Sequence, residues 1–144
     1  MRLSLGVRTS SGADATAAWE IRTGATPGRV KIMEIGIFLA AATASIFGIG
    51  RPQAIGDVPT SPVDFLQEDS DDVLASGVVQ SALAWDTGPT VPTAFLRRIA
   101  LPAVVGTGVI WTWPKGLFIP ASDSIVLWNL GTNAVVDAYA VVEL

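Results

Sequence analysis

The chain has 144 residues, of which 50% are hydrophobic and 15% charged, and it carries a net charge of −4 with no Cys and no His. This length suits one domain with a single core, and the missing residue types exclude disulfides, thiolate chemistry, the usual zinc sites and a histidine general base. A negative charge with no basic run argues against a nucleic-acid partner, and we expect no cofactor.

The mean hydropathy of +0.50 is high, and the charged fraction is below the usual figure of about 25%. Either a membrane span or extensive subunit contact would explain this composition. The longest uncharged stretch, residues 35–50, is shorter than the roughly 20 apolar residues that a spanning helix needs. Residues 1–8 lack the long apolar segment of a secretory signal. We therefore expect no membrane partner and a surface that is hidden against other subunits.

Short runs of alternating or β-branched residues predict strands along the whole chain, separated by Gly, Pro, Asn, Asp and Ser. The predicted strands are residues 3–8, 16–22, 29–39, 45–50, 78–85, 93–101, 108–113, 117–119, 124–130 and 134–143. Residues 9–14 and 23–28 are predicted turns. Residues 40–44 are expected to form a hairpin connection, with a short helix as the alternative, and residues 131–133 a second hairpin turn.

Residues 51–77 are predicted as one long loop, rich in Pro and acidic residues, inside a single domain that covers residues 1–144. Loops of this length are uncommon and usually serve a function or an interface. Eight to ten short strands, without an amphipathic helix or a tandem repeat, indicate an all-β fold. We predict a single-domain jelly-roll β-sandwich of antiparallel strands.

Candidates for chemistry are few. The acidic residues 68–72 could bind calcium, or they could form a solvated loop or one that meets a basic partner. Asp123 and Asp137 could form a glycosidase pair, but a turn role for Asp123 and an outward or arginine-paired position for Asp137 are favoured. Without His the usual nucleophilic triad is unavailable. We expect no enzyme, no catalytic residue and no metal ligand.

Aromatic and charged side chains predict an interaction surface instead. Alternation places Trp111 and Trp113 on one face of a strand, where they could stack on sugars, although a core or subunit-interface role is favoured. Arg97 and Arg98 should point to opposite faces, and the acidic loop of a neighbouring subunit is their candidate partner. The predicted oligomer or capsid interface residues are Trp111, Trp113, Arg97, Arg98, Phe65, Glu68, Asp69, Asp71 and Asp72.

Two stretches carry a family resemblance: residues 37–44, Ile-Phe-Leu-Ala-Ala-Ala-Thr-Ala, and residues 119–129, Ile-Pro-Ala-Ser-Asp-Ser-Ile-Val-Leu-Trp-Asn. Together with the low-charge texture rich in Ala, Val, Gly and Thr, they resemble small jelly-roll structural proteins of tailed bacteriophages, in particular capsid decoration (cement) proteins. The resemblance implies a non-enzymatic protein of the virion that is made in the host cytoplasm. It also implies a homotrimer on the capsid surface that stabilises the head by binding the major capsid protein or another virion protein. It carries over no functional residues. A glycan- or receptor-binding module of a tail or fibre is the alternative.

Overall fold

All regular structure in the described residues is β-strand. The structure is a computed structural model that describes residues 1–10, 16–25, 29–57 and 59–144, so the predicted turns at 9–14 and 23–28 lie partly outside it. The strands are β1 (Arg2–Arg8), β2 (Thr16–Thr23), β3 (Val30–Leu39), β4 (Ser45–Gly50), β5 (Val63–Asp64), β6 (Leu66–Gln67), β7 (Val79–Ala82), β8 (Arg97–Leu101), β9 (Gly108–Ile119), β10 (Ser124–Asn129) and β11 (Val136–Glu143). Within these residues, no helix is long and apolar enough to cross a membrane.

The strands form two antiparallel sheets. Sheet 1 has the order β6-β1-β11-β3-β9, and sheet 2 has the order β5-β7-β2-β10-β4-β8. Without the short strands β5, β6 and β7, four strands (β1-β11-β3-β9) face four others (β2-β10-β4-β8). This order is that of a jelly roll, in which two Greek keys wind into a sandwich. The predicted fold class is confirmed.

Both predicted hairpins are wrong. β3 and β4 lie in different sheets, and so do β10 and β11, so residues 40–44 and 131–133 cross between the sheets. Residues 40–44 form bends and irregular backbone, so the alternative of a short helix is also wrong. Turn residues specify that the chain reverses, whereas the choice of sheet depends on which distant strand offers a matching apolar face.

β9 is one long strand where two were predicted. It contains Pro114, and its register against β3 shifts between Ile32 and Glu34. β9 is the outermost strand of sheet 1, and an edge strand tolerates a proline because one side of its backbone needs no ladder partner. Pro114, which suggested a boundary between two strands, is therefore accommodated inside one strand.

The core lies between the inner faces of the two sheets. Every second residue of β11 from Val136 to Val142 is buried, and Ile35 and Ile37 of β3 join the same cluster. Trp19 and Leu127 meet them from sheet 2. Each large apolar side chain buried in this way contributes about 1.5–3 kcal/mol.

In the connection between β4 and β8, residues 51–96, the short strands β5, β6 and β7 extend the edges of the two sheets. The segments before β5 and after β7 form a third layer over the outer face of sheet 2. Residues that point away from the core are buried there too: Glu20 and Val126 are 0% exposed and Trp128 is 1% exposed. Gly48 lies against the Phe95 ring, so a side chain at position 48 would collide with the cover. Residues 51–77, which were predicted as one long loop, therefore contain the strands β5 and β6.

Candidate interaction surfaces

One end of the sandwich, named the loop end here, gathers four connections that cross between the sheets. Its described residues are 9–10, 40–44, 102–107 and 130–135, and none of them is charged. The charges nearest to it in sequence, Arg8 and Asp137, neutralise each other through two hydrogen bonds of 2.7 and 2.9 Å. Among the residues that the structure describes, the loop end therefore presents an uncharged surface.

Backbone hydrogen bonds hold the loop end together. Ala40 N donates to Val135 O at 3.0 Å, and Leu39 N donates to Thr107 O at 2.8 Å. These bonds join three of the four connections. Because the backbone groups are paired with one another, the exposed side chains above them are held in place.

The β8–β9 connection supplies the most apolar part of the loop end. Val104 and Val105 are adjacent and are 58% and 61% exposed. The loop end also has an open pocket of about 260 Å³, and its lining residues include Ala44, Leu101 and Thr132. No charged side chain lines the pocket. A cavity of this composition suits an apolar side chain of a partner better than a charged ligand.

The two predicted tryptophans share a face, as expected, but that face is the inner one. Trp111 is 9% exposed and belongs to the core, while Trp113 is half-buried against it. The Arg97 guanidinium lies 5.5 Å from the centre of the Trp113 ring. Trp111 therefore cannot serve as half of an exposed sugar-stacking pair, and Trp113 closes the side of the sandwich between β8 and β9.

The other predicted interface residues are dispersed. Arg98 is exposed and lies 5.9 Å from the centre of the Phe95 ring, on the outer side of β8. Phe65 is 2% exposed and anchors the connection to the core, so it is a packing residue. Glu68, Asp69 and Asp71 are exposed, and Asp72 is half-buried, at the edge of sheet 1 that lies furthest from Arg97.

The acidic residues follow β6 in an ordered turn. Asp69 accepts a 3.0 Å hydrogen bond at Oδ1 from the backbone N–H of Asp71, and Glu68 N donates to Arg2 O at 3.0 Å. No group of three or more Asp or Glu side chains in the described residues is arranged to hold a metal ion. The turn therefore presents its carboxylates outward.

Asp64 forms hydrogen bonds that link the two ends of the segment carrying these acidic residues. Its carboxylate accepts hydrogen bonds from the Ser76 hydroxyl at 2.6 Å, from Gly77 N at 3.0 Å and from Gln80 Nε2 at 2.9 Å. These bonds, led by that from Ser76, lower the pKa of Asp64 below its usual value. Asp64 therefore stays ionised at neutral pH and ties β5 to β7.

A buried polar cluster that the sequence analysis missed attaches the third layer to sheet 2. The Glu20 carboxylate accepts hydrogen bonds from Arg22 at 3.1 Å, Trp85 Nε1 at 3.2 Å and Ser124 Oγ at 3.0 Å. Arg22 also donates to Asp57 O at 3.2 Å. The sequence carries no signal for this burial, because a Glu between Trp19 and Ile21 alternates onto the outer face of the strand, which is ordinarily solvated.

The two aspartates considered for glycoside hydrolysis do not form a pair. Asp123 precedes β10 at the end opposite the loop end, and its Oδ1 accepts a 2.7 Å hydrogen bond from Ser124 N. Asp137 lies on β11 near the loop end, in the other sheet, and the hydrogen bond from Arg8 lowers its pKa. The turn role of Asp123 and the arginine pairing of Asp137 are confirmed.

Tyr139 covers the outer face of sheet 1. Its ring lies over Gly36, where a side chain would collide with it, and its hydroxyl donates to Glu34 Oε1 at 2.5 Å. That hydrogen bond, together with partial burial and the carboxylate charge, raises the pKa of Tyr139 to about 12.

Comparison with protein families, curated proteins and solved structures finds no match to this chain. Any statement about function therefore depends on the fold, the surfaces described above and the sequence resemblance.

Proposed function

We propose that this chain is a virion structural protein, a capsid decoration protein of a tailed phage, and that the loop end contacts the capsid lattice. The observation that carries the proposal is the lack of charge in the described residues of the loop end, together with its exposed valines and its pocket. Exposed apolar patches of this kind mark interaction sites. The sequence resemblance to decoration proteins supplies the identity of the partner.

The chemistry of the described residues supports a binding role. Three carboxylates form hydrogen bonds that stabilise the fold. Glu20 bonds Trp85 of the third layer, Asp64 links β5 to β7, and Asp137 pairs with Arg8. A compact surface such as the loop end binds weakly by itself, but many copies on a repeating lattice bind together with much higher avidity.

The test is cosedimentation of the purified chain with capsid shells that lack it. The wild type should sediment with the shells in a fixed ratio to the major capsid protein. The double substitution Val104→Asp and Val105→Asp should abolish sedimentation, because a charge placed in an apolar contact is left unpaired.

Val73→Asp is the matched control. Val73 is 87% exposed and follows the acidic turn after β6, outside the loop end, so this variant should sediment like the wild type. Absence of the chain from mass spectra of purified virions would overturn the proposed function. Equal sedimentation of the loop-end variant would overturn the choice of contact surface.

A further inference from the structure

Four basic residues surround Phe118 at the end of the sandwich opposite the loop end. They are named the basic cluster here and are Arg29, Lys31, Arg51 and Lys115. Phe118 lies near the last residue of β9, and Lys31 lies near the first residue of β3. The other ends of both strands adjoin the loop end. At about 3.3 Å per residue, the length of β3 places the basic cluster roughly 26 Å from the loop end.

Three of these cations lie against Phe118 itself. The Arg29 guanidinium carbon is 5.9 Å from the centre of the Phe118 ring, and Arg51 Nη2 donates to Phe118 O at 2.8 Å. Lys31 is the residue directly opposite Phe118 on the neighbouring strand. The cations are therefore held in place around one aromatic side chain.

Gly116 brings the fourth cation to the same place. Its φ of +76° is a left-handed conformation that glycine adopts without strain. A Cβ atom at position 116 would lie 2.7 Å from Lys31 Cβ, so only glycine leaves room for the Lys31 side chain to pack there. The Lys31 stem therefore passes beside the backbone that carries Lys115.

The charges of the basic cluster are not neutralised by described residues. The ion pairs in the described part of the chain use Arg2, Arg8 and Arg22, and none uses a member of the cluster. Glu143 lies opposite Lys31 in the sheet, but its carboxylate is 3.7 Å from Arg2. A chain with a net charge of −4 thus concentrates positive charge at one end, where it attracts an anionic ligand.

Phe118 adds a second requirement for that ligand. Its side chain is 40% exposed although it lies among cations. An exposed aromatic ring beside guanidinium groups suits a ligand in which an anionic group adjoins a flat apolar face. A saccharide with carboxylate or sulfate groups has both features, because the C–H groups of a sugar ring form such a face.

The backbone of β9 argues against an acidic peptide in this place. A peptide that adds a strand to a sheet needs free backbone N–H and C=O groups along the edge. Pro114 has no N–H, the register of β9 shifts nearby, and Phe118 O already accepts a hydrogen bond from Arg51. The site also has one exposed ring, whereas single-stranded nucleic acids bind along a groove with several stacking rings. An acidic saccharide is therefore the ligand that the cluster fits best.

We infer that the basic cluster and Phe118 form a binding site for an acidic saccharide. Arg29 and Arg51 bind a carboxylate or sulfate group, and Phe118 stacks on the sugar ring that carries it. The site is separate from the tryptophan pair considered above, whose Trp111 is buried. It is also separate from the loop end, so it goes beyond the proposed function and does not depend on capsid binding.

The experiment is isothermal titration calorimetry of the purified full-length chain with two acidic probes, tetragalacturonate and sulfated maltotetraose. They distinguish a carboxylate ligand from a sulfate ligand. At least one should bind, whereas neutral maltotetraose should not. The affinity should fall as salt rises from about 0.1 M to 1 M, since the screening length drops from about 10 Å to 3 Å.

Two substitutions test the two parts of the site. Arg29→Gln should weaken binding of the acidic probe about tenfold, the loss expected for one charge-assisted hydrogen bond. Phe118→Ala should weaken it about fivefold, through the lost stacking. Circular dichroism establishes that each variant is folded.

Arg8→Gln is the matched control. It removes the same charge from an exposed arginine near the loop end, so this variant should keep the wild-type affinity.

A wild type that binds neither acidic probe would overturn the inference, and so would equal affinity for neutral maltotetraose. Equal losses from Arg29→Gln and Arg8→Gln would show attraction to net charge and no site. Tetraglutamate that binds as tightly as the better saccharide would overturn the choice of ligand class. All of these measurements are made without capsid shells, so failure of the saccharide site and failure of the proposed function are distinguishable.

Discussion

At the scale of single residues, Tyr139 offers a direct measurement because it is the only tyrosine of the chain. Its hydroxyl should titrate near pH 12, since the hydrogen bond to Glu34 favours the protonated form. A pKa raised by folding means that the contact stabilises the protein fully below pH 10.0, the ordinary tyrosine value, and that this contribution is lost as pH rises towards 12.

Ultraviolet absorbance of tyrosinate measures this pKa without interference from another tyrosine. Glu34→Gln should bring the midpoint back towards 10.0, and the wild type unfolded in denaturant should titrate there as well. A folded wild-type midpoint that equals the denatured one would show that the hydroxyl does not bond the carboxylate.

At the scale of secondary-structure elements, β9 contains two tryptophans with different roles. Trp111→Ala should lower the free energy of unfolding by about 3–5 kcal/mol, because it leaves a cavity in the core. Trp113→Ala should cost about 1 kcal/mol, mainly the stacking with Arg97 at the rim. Urea unfolding measures both, and each variant is the control for the other. Equal losses would contradict the assignment of Trp113 to the rim.

Most of the strands and the jelly-roll class were predictable from the sequence, whereas the sheets joined by residues 40–44 and 131–133 were not. Alternation in β1 and β11 identifies strands because one face of each is buried. The turn at residues 131–133 reads as a hairpin although its two strands belong to different sheets. Local sequence encodes the reversal, whereas sheet membership depends on contacts between residues distant in the chain.

The interaction surfaces also include some features that the sequence predicts and others that it does not. The arginine pairing of Asp137 was one of two alternatives that the sequence left open, because Arg8 becomes its neighbour only when β1 pairs with β11. The burial of Trp111 was one of two alternatives that sequence left open, since alternation gives the face but not which face is inner. The loop end was not predictable at all, because its four connections are separated in sequence and meet only through the jelly-roll order.

At the scale of the whole molecule, the jelly roll has three layers rather than two. β4 and β8 are neighbours in sheet 2, and Ile49 pairs with Arg97, so a two-residue turn could join them directly. The chain instead inserts residues 51–96. This insertion covers outward-facing residues of sheet 2 and carries most of the acidic charge.

Replacing residues 51–95 by Asn-Gly should therefore keep the eight strands of the jelly roll but weaken them. The replacement exposes Val126 and Trp128 to water and removes the Trp85 partner of Glu20. At about 1.5–3 kcal/mol for each large apolar side chain, the free energy of unfolding should fall by at least about 3 kcal/mol. Urea unfolding followed by far-ultraviolet circular dichroism measures the loss.

The control variant replaces only residues 70–73, which lie outside the cover of sheet 2, by two glycines. This replacement should change the free energy of unfolding little. Unchanged stability after the larger replacement would mean that the third layer does not stabilise the sandwich beneath it.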